Sequence, residues 1–295
     1  MQLTLSARQP FVLASVLGSH GWIRLAPNRT DDDLAILTRV EGLASGRVVE
    51  IQIQEAVGGV RVGVDGALSA SEQHEVVSKV GWMLGLEQDL TSFYAQARQE
   101  PKLARVEQRA QGRILRSPTL FEDTVKTILT TNTAWSGTIR MAEKLAGCFG
   151  SPLLTDPRRR TFPTPRQLAD TDEVTLRAEA GLGYRAPYVL QLARHQAGGD
   201  VELESLKDPG IPTAELRQRL LDIKGVGDYA AANLLMILGR YDFIPVDSWA
   251  LKMVSHEWYN GEPVSREQVE SVFERWGEWR GLAYWCWDWS YDGYS

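Results

Sequence analysis

Two short stretches carry residues able to do chemistry. In Leu220–Asp247 (LLDIKGVGDYAAANLLMILGRYDFIPVD) an amphipathic helix ends at Ile223, Lys224-Gly225-Val226-Gly227 follows, and a second helix starts at Asp228. Two glycines around one apolar residue permit a tight turn with positive φ, and Val226 pins it to a core. Such a turn aims backbone N–H groups of a helix start outward, which suits phosphate oxygens and holds a nucleic-acid backbone without reading bases. An ordinary helical corner containing glycines has the same pattern. Downstream, Ile244-Pro245-Val246 delivers Asp247 to another helix start. A carboxylate there can stabilise developing positive charge and orient water; it can equally serve as a plain N-cap.

These segments must be positioned by the rest of a 295-residue chain, long enough for one large or two ordinary domains. The fold class expected is α+β. Residues 1–100 read as a β-rich domain with an antiparallel sheet. Arg47–Glu55 alternates with Val49, Ile51 and Ile53 on one face, and Gly59–Asp65 alternates again as the second arm of a hairpin. Phe11–Leu17 and Ala35–Leu43 are further strand candidates, and Ser71–Leu84 has helical spacing. Residues 101–295 read as an all-helical body, which the family resemblance given below implies is two-lobed with a cleft between its lobes. Its helices are expected at Phe121–Asn132, Ser136–Phe149, Glu173–Ala180, Tyr184–Gln196, Ala214–Ile223, Tyr229–Leu238, Asp247–Trp258 and Arg266–Trp276.

Net charge is −6, which argues weakly against a nucleic-acid partner. The distribution is uneven: residues 101–200 hold 15 basic and 10 acidic side chains, whereas both flanking thirds are acidic. The run Lys102, Arg105, Arg109, Arg113, Arg116 reads as a solvated helix face or a phosphate-facing surface. Two cysteines, Cys148 and Cys286, exclude a disulfide framework and a four-cysteine zinc or iron–sulfur site. No secretory signal and no membrane span is expected, and the sparse cysteines fit a reducing cytosol, so a cytoplasmic location is expected, nucleoid-associated if bacterial.

The ordered elements Ile223–Gly227, the helix through Leu238, and Pro245-Val246-Asp247 resemble the helix–hairpin–helix (HhH-GPD) DNA glycosylase superfamily. Ala180–Val189 (AGLGYRAPYV) is similar to the corresponding segment of its 8-oxoguanine branch. Ser117-Pro118 through Thr130-Thr131-Asn132 resembles the helix whose polar end meets the opposite strand. The overall plan also resembles the 3-methyladenine type II glycosylases. The resemblance implies double-stranded DNA carrying a damaged base as partner, a monomer, and Asp247 as catalytic residue. It implies DNA-backbone binding by Lys224, Gly225, Val226 and Gly227. Tyr184 would wedge into the gap left by the everted nucleotide, while Asn132 and Arg185 contact the widowed base. Tyr229, Trp249, Tyr284 and Asp288 fall at base-pocket positions, although tryptophans at helical spacing in Trp276–Tyr294 also suit packing. His20, in Ser19-His20-Gly21-Trp22, approaches the pocket or is structural. Where bifunctional members carry the Schiff-base lysine this chain has Tyr229, which implies a monofunctional hydrolase, Lys224 and Lys252 being the candidate substitute amines. The arginine that the 8-oxoguanine branch carries five residues after its asparagine is here Gly137. No cofactor is expected; a monovalent cation at the hairpin is left open. The activity implied is release of a damaged purine, alkylated or 8-oxoguanine. A non-enzymatic lesion-binding protein is the alternative.

Overall fold

The computed structural model describes residues 1–289. Its first layer is an antiparallel sheet in the order β1-β5-β4-β3-β2, built from β1 (Gln2–Ser6), β2 (Asn28–Thr30), β3 (Ile36–Gly42), β4 (Val48–Ala56) and β5 (Gly59–Val64). The alternation in β4 buries Val49, Ile51 and Ile53. β4 and β5 pair from Ala56↔Gly59 to Ile51↔Val64, with Gly58 at φ +76° in the turn. Gly59 is required where β5 is sandwiched between β1 and β4, because a Cβ there would lie 2.0 Å from the Leu5 carbonyl oxygen. Phe11–Leu17 is not a strand. Leu13–Leu17 is a short helix, α1, whose buried Leu13, Val16 and Leu17 follow helical spacing. A short apolar run does not by itself distinguish the two. β1 and β2, both at the sheet edges, are additions that the periodicity did not single out.

Helix α2 (Ala70–Leu84) is fixed at its start by a reciprocal Ser69–Glu72 cap and ends at Gly85, φ +59°. After α3 (Thr91–Ala97) the chain runs irregularly to residue 119. The basic run lies here and does not form one helix face: Lys102 is half-buried and Arg105 and Arg109 are exposed, whereas the last two arginines turn inward. Arg113 and Arg116 are buried. Arg113 donates to the carbonyls of Arg8, Pro10, Gly85 and Gln88, so it clamps the loops around the sheet.

The helical body comprises α4 (Leu120–Thr130), α5 (Trp135–Phe149), α6 (Pro165–Ala169), α7 (Glu173–Glu179), α8 (Ala186–Gly198), α9 (Thr213–Leu221), α10 (Asp228–Ile237), α11 (Ser248–Trp258), α12 (Arg266–Val272) and α13 (Arg280–Cys286). It is not purely helical: β6 (Pro152–Leu153) and β7 (Asp156–Arg160) form a small hairpin after α5. The expected helix through Trp276 stops at Val272 and continues as a separate turn over Glu274–Trp279, broken at Gly277.

A charged network buried between sheet and body fixes their relative placement. Arg39 of β3 donates to Glu122 of α4 at 2.7 Å and to Glu41 at 2.7 Å, while Lys126 pairs with Glu122 at 2.6 Å. Burial alone would push the Glu122 carboxyl up, but Arg39 and Lys126 more than reverse this and hold it at about 2. No helix among the described residues is long and apolar enough to cross a membrane.

Candidate active site

The glycine turn joins α9 to α10. Gly225 sits at φ +91°, and a Cβ on it would come within 2.8 Å of the Tyr188 ring, so only glycine fits there. Val226 is buried and its N–H donates to the Ile223 carbonyl, which locks the turn. Gly227, the N-cap of α10, is exposed with open space where a Cβ would point. The amides of Gly225 and Gly227 find no acceptor among the described residues. They stand at the positive end of α10. Lys224 is exposed on the far side of the turn and borders a different, smaller hollow of about 280 Å³.

Asp247 caps α11: its Oδ1 accepts the Ala250 N–H at 2.8 Å. That leaves Oδ2 free to act elsewhere. The residue is half-buried and lines a cleft of about 830 Å³ together with Gly225, Gly227 and Tyr229. Burial, and then the Asp247 charge, push the Tyr229 phenol up. The Tyr284 phenol is pushed up by burial and by the same two neighbours. Tyr284 nevertheless does not line the cleft; it is buried, while its neighbour Trp285 faces the opening. Trp249 is exposed and packs edge-on against Tyr284 and Trp289, outside the lining. Asp288 is exposed, with its N–H on the Lys102 carbonyl. Residues 290–294 of the aromatic tail lie outside the described residues.

Asn132 and Tyr184 meet across the cleft mouth. Asn132, at φ +46°, donates to the Tyr184 hydroxyl at 3.3 Å, and that hydroxyl donates to the Thr131 carbonyl at 3.2 Å. Tyr184 is 43% exposed, an aromatic ring held at the surface with its edge fixed. Arg185 is not available to a base. It is buried, donates to the Thr131 carbonyl, and lies over the Tyr184 ring at 4.5 Å. It therefore positions the Thr131–Asn132 loop and Tyr184 from behind.

The opposite wall comes from the N-terminal layer. His20 Nε2 lies 2.6 Å from the Leu115 carbonyl. A carbonyl only accepts, so the ring proton sits on Nε2 and Nδ1 remains an acceptor. Burial lowers this imidazole to about 4, against the Leu115 bond. Its ring stacks near Trp22 at 4.5 Å, and the Trp22 Nε1 donates to buried Asp123 at 2.7 Å. Gly21 makes room for Trp135, whose ring a Cβ would overlap at 2.1 Å. Trp22, Trp135, Tyr188 and Trp285 line the cleft without having been marked by spacing. Among the described residues no cluster of histidine, cysteine or carboxylate suits a metal ion.

A family model described as "HhH-GPD superfamily base excision DNA repair protein" matches residues 125–278. The chain belongs to that superfamily. Among curated proteins, it is 24% identical over 227 residues to a DNA-3-methyladenine glycosylase of Bacillus subtilis, covering 72% of this chain and 71% of that one. It is 25% identical over 253 residues to a probable N-glycosylase/DNA lyase of Methanothermobacter thermautotrophicus, covering 78% of each. Among solved structures, a 3-methyladenine DNA-glycosylase from Archaeoglobus fulgidus superposes with TM-score 0.76 at 24% identity over 97% of each chain. An 8-oxoguanine glycosylase/lyase of Clostridium acetobutylicum gives TM-score 0.73 at 19% identity, covering 98% of this chain and 99% of that one. These structural likenesses establish the fold.

Proposed function

We propose that the chain is a monofunctional DNA N-glycosylase of base excision repair, releasing a damaged purine by hydrolysis. The observation that carries this reading is the convergence of the Asp247 carboxylate and the Gly225–Gly227 turn on one aromatic cleft. The turn amides and the α10 N-terminus hold a phosphate of the lesion strand, which brings the adjoining deoxyribose to Asp247. The nucleotide leaves the stack, and Tyr184 and Asn132 fill its place. As the N-glycosidic bond breaks, the base departs with the bonding electron pair. Positive charge on the sugar faces the carboxylate. Water adds at the anomeric carbon, its proton going to Asp247 or onward to the departing base.

Absence of lyase chemistry is supported by Tyr229, which cannot form an imine. Lys224 and Lys252 are both exposed and neither lines the cleft. An alkylated purine is favoured because the walls are tryptophan and tyrosine rings around a neutral histidine, and electron-poor bases stack well there. 8-Oxoguanine is the second substrate. No resident cofactor is required.

The test is free-base release, with product masses, from defined duplexes carrying 3-methyladenine, 7-methylguanine, hypoxanthine, uracil or 8-oxoguanine. One or more purines should be released and an intact abasic strand left behind. A lesion-binding protein would shift these duplexes yet release nothing, and a covalent adduct on borohydride treatment would show an amine at work.

A further inference from the structure

At the far end of α5 five arginines converge on a hollow of about 350 Å³: Arg24, Arg29, Arg158, Arg159 and Arg160, with Glu143 at its edge. Arg158 pairs with Asp156 and Arg159 with Glu50, but Arg24, Arg29 and Arg160 have no carboxylate partner among the described residues. Arg159 is 15% exposed and its Nη2 is buried without an acceptor. Burial and the nearby Arg29 disfavour its charge. In a chain of net charge −6, this is an unbalanced concentration of guanidinium groups. A buried donor without an acceptor, beside repelling cations, costs free energy that an anion would recover.

The hollow and the cleft lie along one face of α5. Trp135 lines the cleft and Ala146 lines the hollow. They stand eleven residues apart on α5, three turns, so they share one face about 17 Å apart. The segment from Gly21 to Thr30 runs along that face, with Gly21 against Trp135 and Arg24 and Arg29 at the hollow. A distance of about 17 Å is roughly five base pairs along a duplex. Planar guanidinium groups match phosphate oxygens two at a time.

We propose that this arginine hollow is a second contact surface for the DNA backbone, gripping the flank of the same duplex about five base pairs from the everted nucleotide. The proposal rests on the reading of the cleft above. It assigns the contact to phosphates and not to bases, so it adds affinity and register without sequence preference.

The test uses the double variant Arg24→Gln/Arg29→Gln, whose side chains are exposed, with a thermal midpoint confirming the fold. The probe is a duplex carrying a tetrahydrofuran abasic-site analogue with about twelve base pairs on either side, bound at several salt concentrations. Each lost phosphate contact should flatten the slope of log K against log salt by about 0.9, so about 1.8 for two. A fourfold rise in salt would then weaken the variant about 12-fold less than wild type. Two further duplexes, each cut to about three base pairs on one side, locate the contact. On one of them wild type and variant should coincide. An unchanged slope on the long duplex overturns the proposal, and so does an equal deficit on all three duplexes, which is a diffuse charge effect. Free-base release by wild type is scored separately. Release with unchanged slopes refutes the hollow alone, whereas a wild type that neither binds nor releases refutes the cleft reading as well.

Discussion

Asp247→Asn separates the two jobs of one side chain. Oδ1 caps α11 through the Ala250 amide, and asparagine caps a helix about as well as aspartate. Folding should therefore change by only a few tenths of a kcal/mol. The charge is lost entirely. A unit charge about 4 Å from a cationic sugar, at an effective dielectric near 20, contributes about 4 kcal/mol. Single-turnover base release should then slow roughly 10³-fold. Binding should hold or tighten, because a negative charge beside the phosphates is gone. Asp247→Ala should be as slow, and should also lose about 1 kcal/mol of cap, seen as a thermal midpoint about 2–4 °C lower. Release by Asp247→Asn within tenfold of wild type would refute the electrostatic role.

Gly225→Ala forces a Cβ into the Tyr188 ring at positive φ, so it should cost about 1–3 kcal/mol and abolish tight duplex binding, read by gel shift. Tyr229→Lys places an amine in the cleft beside Asp247 and should yield a borohydride-trappable adduct that wild type lacks. Lys126→Met removes one charged hydrogen bond while Glu122 keeps Arg39 and should cost about 1–3 kcal/mol in urea unfolding. Asp123, pushed by burial from 3.8 to about 6, contributes stability that is full below about pH 4 and lost as pH rises through 6. Asp123→Asn removes this dependence, so its stability relative to wild type should climb by up to about 3 kcal/mol between pH 4 and 7. A flat difference would show that the carboxyl is not perturbed.

The glycine turn and the arrival of Asp247 at a helix start were legible because both are local: a few adjacent residues fix backbone angles and a cap. The cleft walls were legible only in part. His20 and Tyr229, both named from the sequence, line the opening, whereas Trp135, Tyr188 and Trp285 come from three distant segments, and periodicity gives a residue's face without saying what that face meets. Tyr284 and Trp285 show the limit, since neighbours on a helix point about 100° apart and only the second reaches the opening. The run from Lys102 to Arg116 had helical charge spacing, yet its last two arginines are consumed indoors by carbonyls and rings. Arg185 went the same way: an arginine in a loop looks available until its hydrogen bond to Thr131 is seen.

The ion cluster that joins β3 to α4 makes the first layer indispensable to the second. Deleting the sheet would strip Glu122 of its guanidinium and Asp123 of its indole donor, leaving carboxylates on the helix that leads directly to the Asn132 loop. Removal of the whole first layer would also take away His20 and Trp22, hence one wall of the cleft. The helical part of this chain therefore relies on the first layer for ion partners and for a wall of its cleft, and an excised version should misfold.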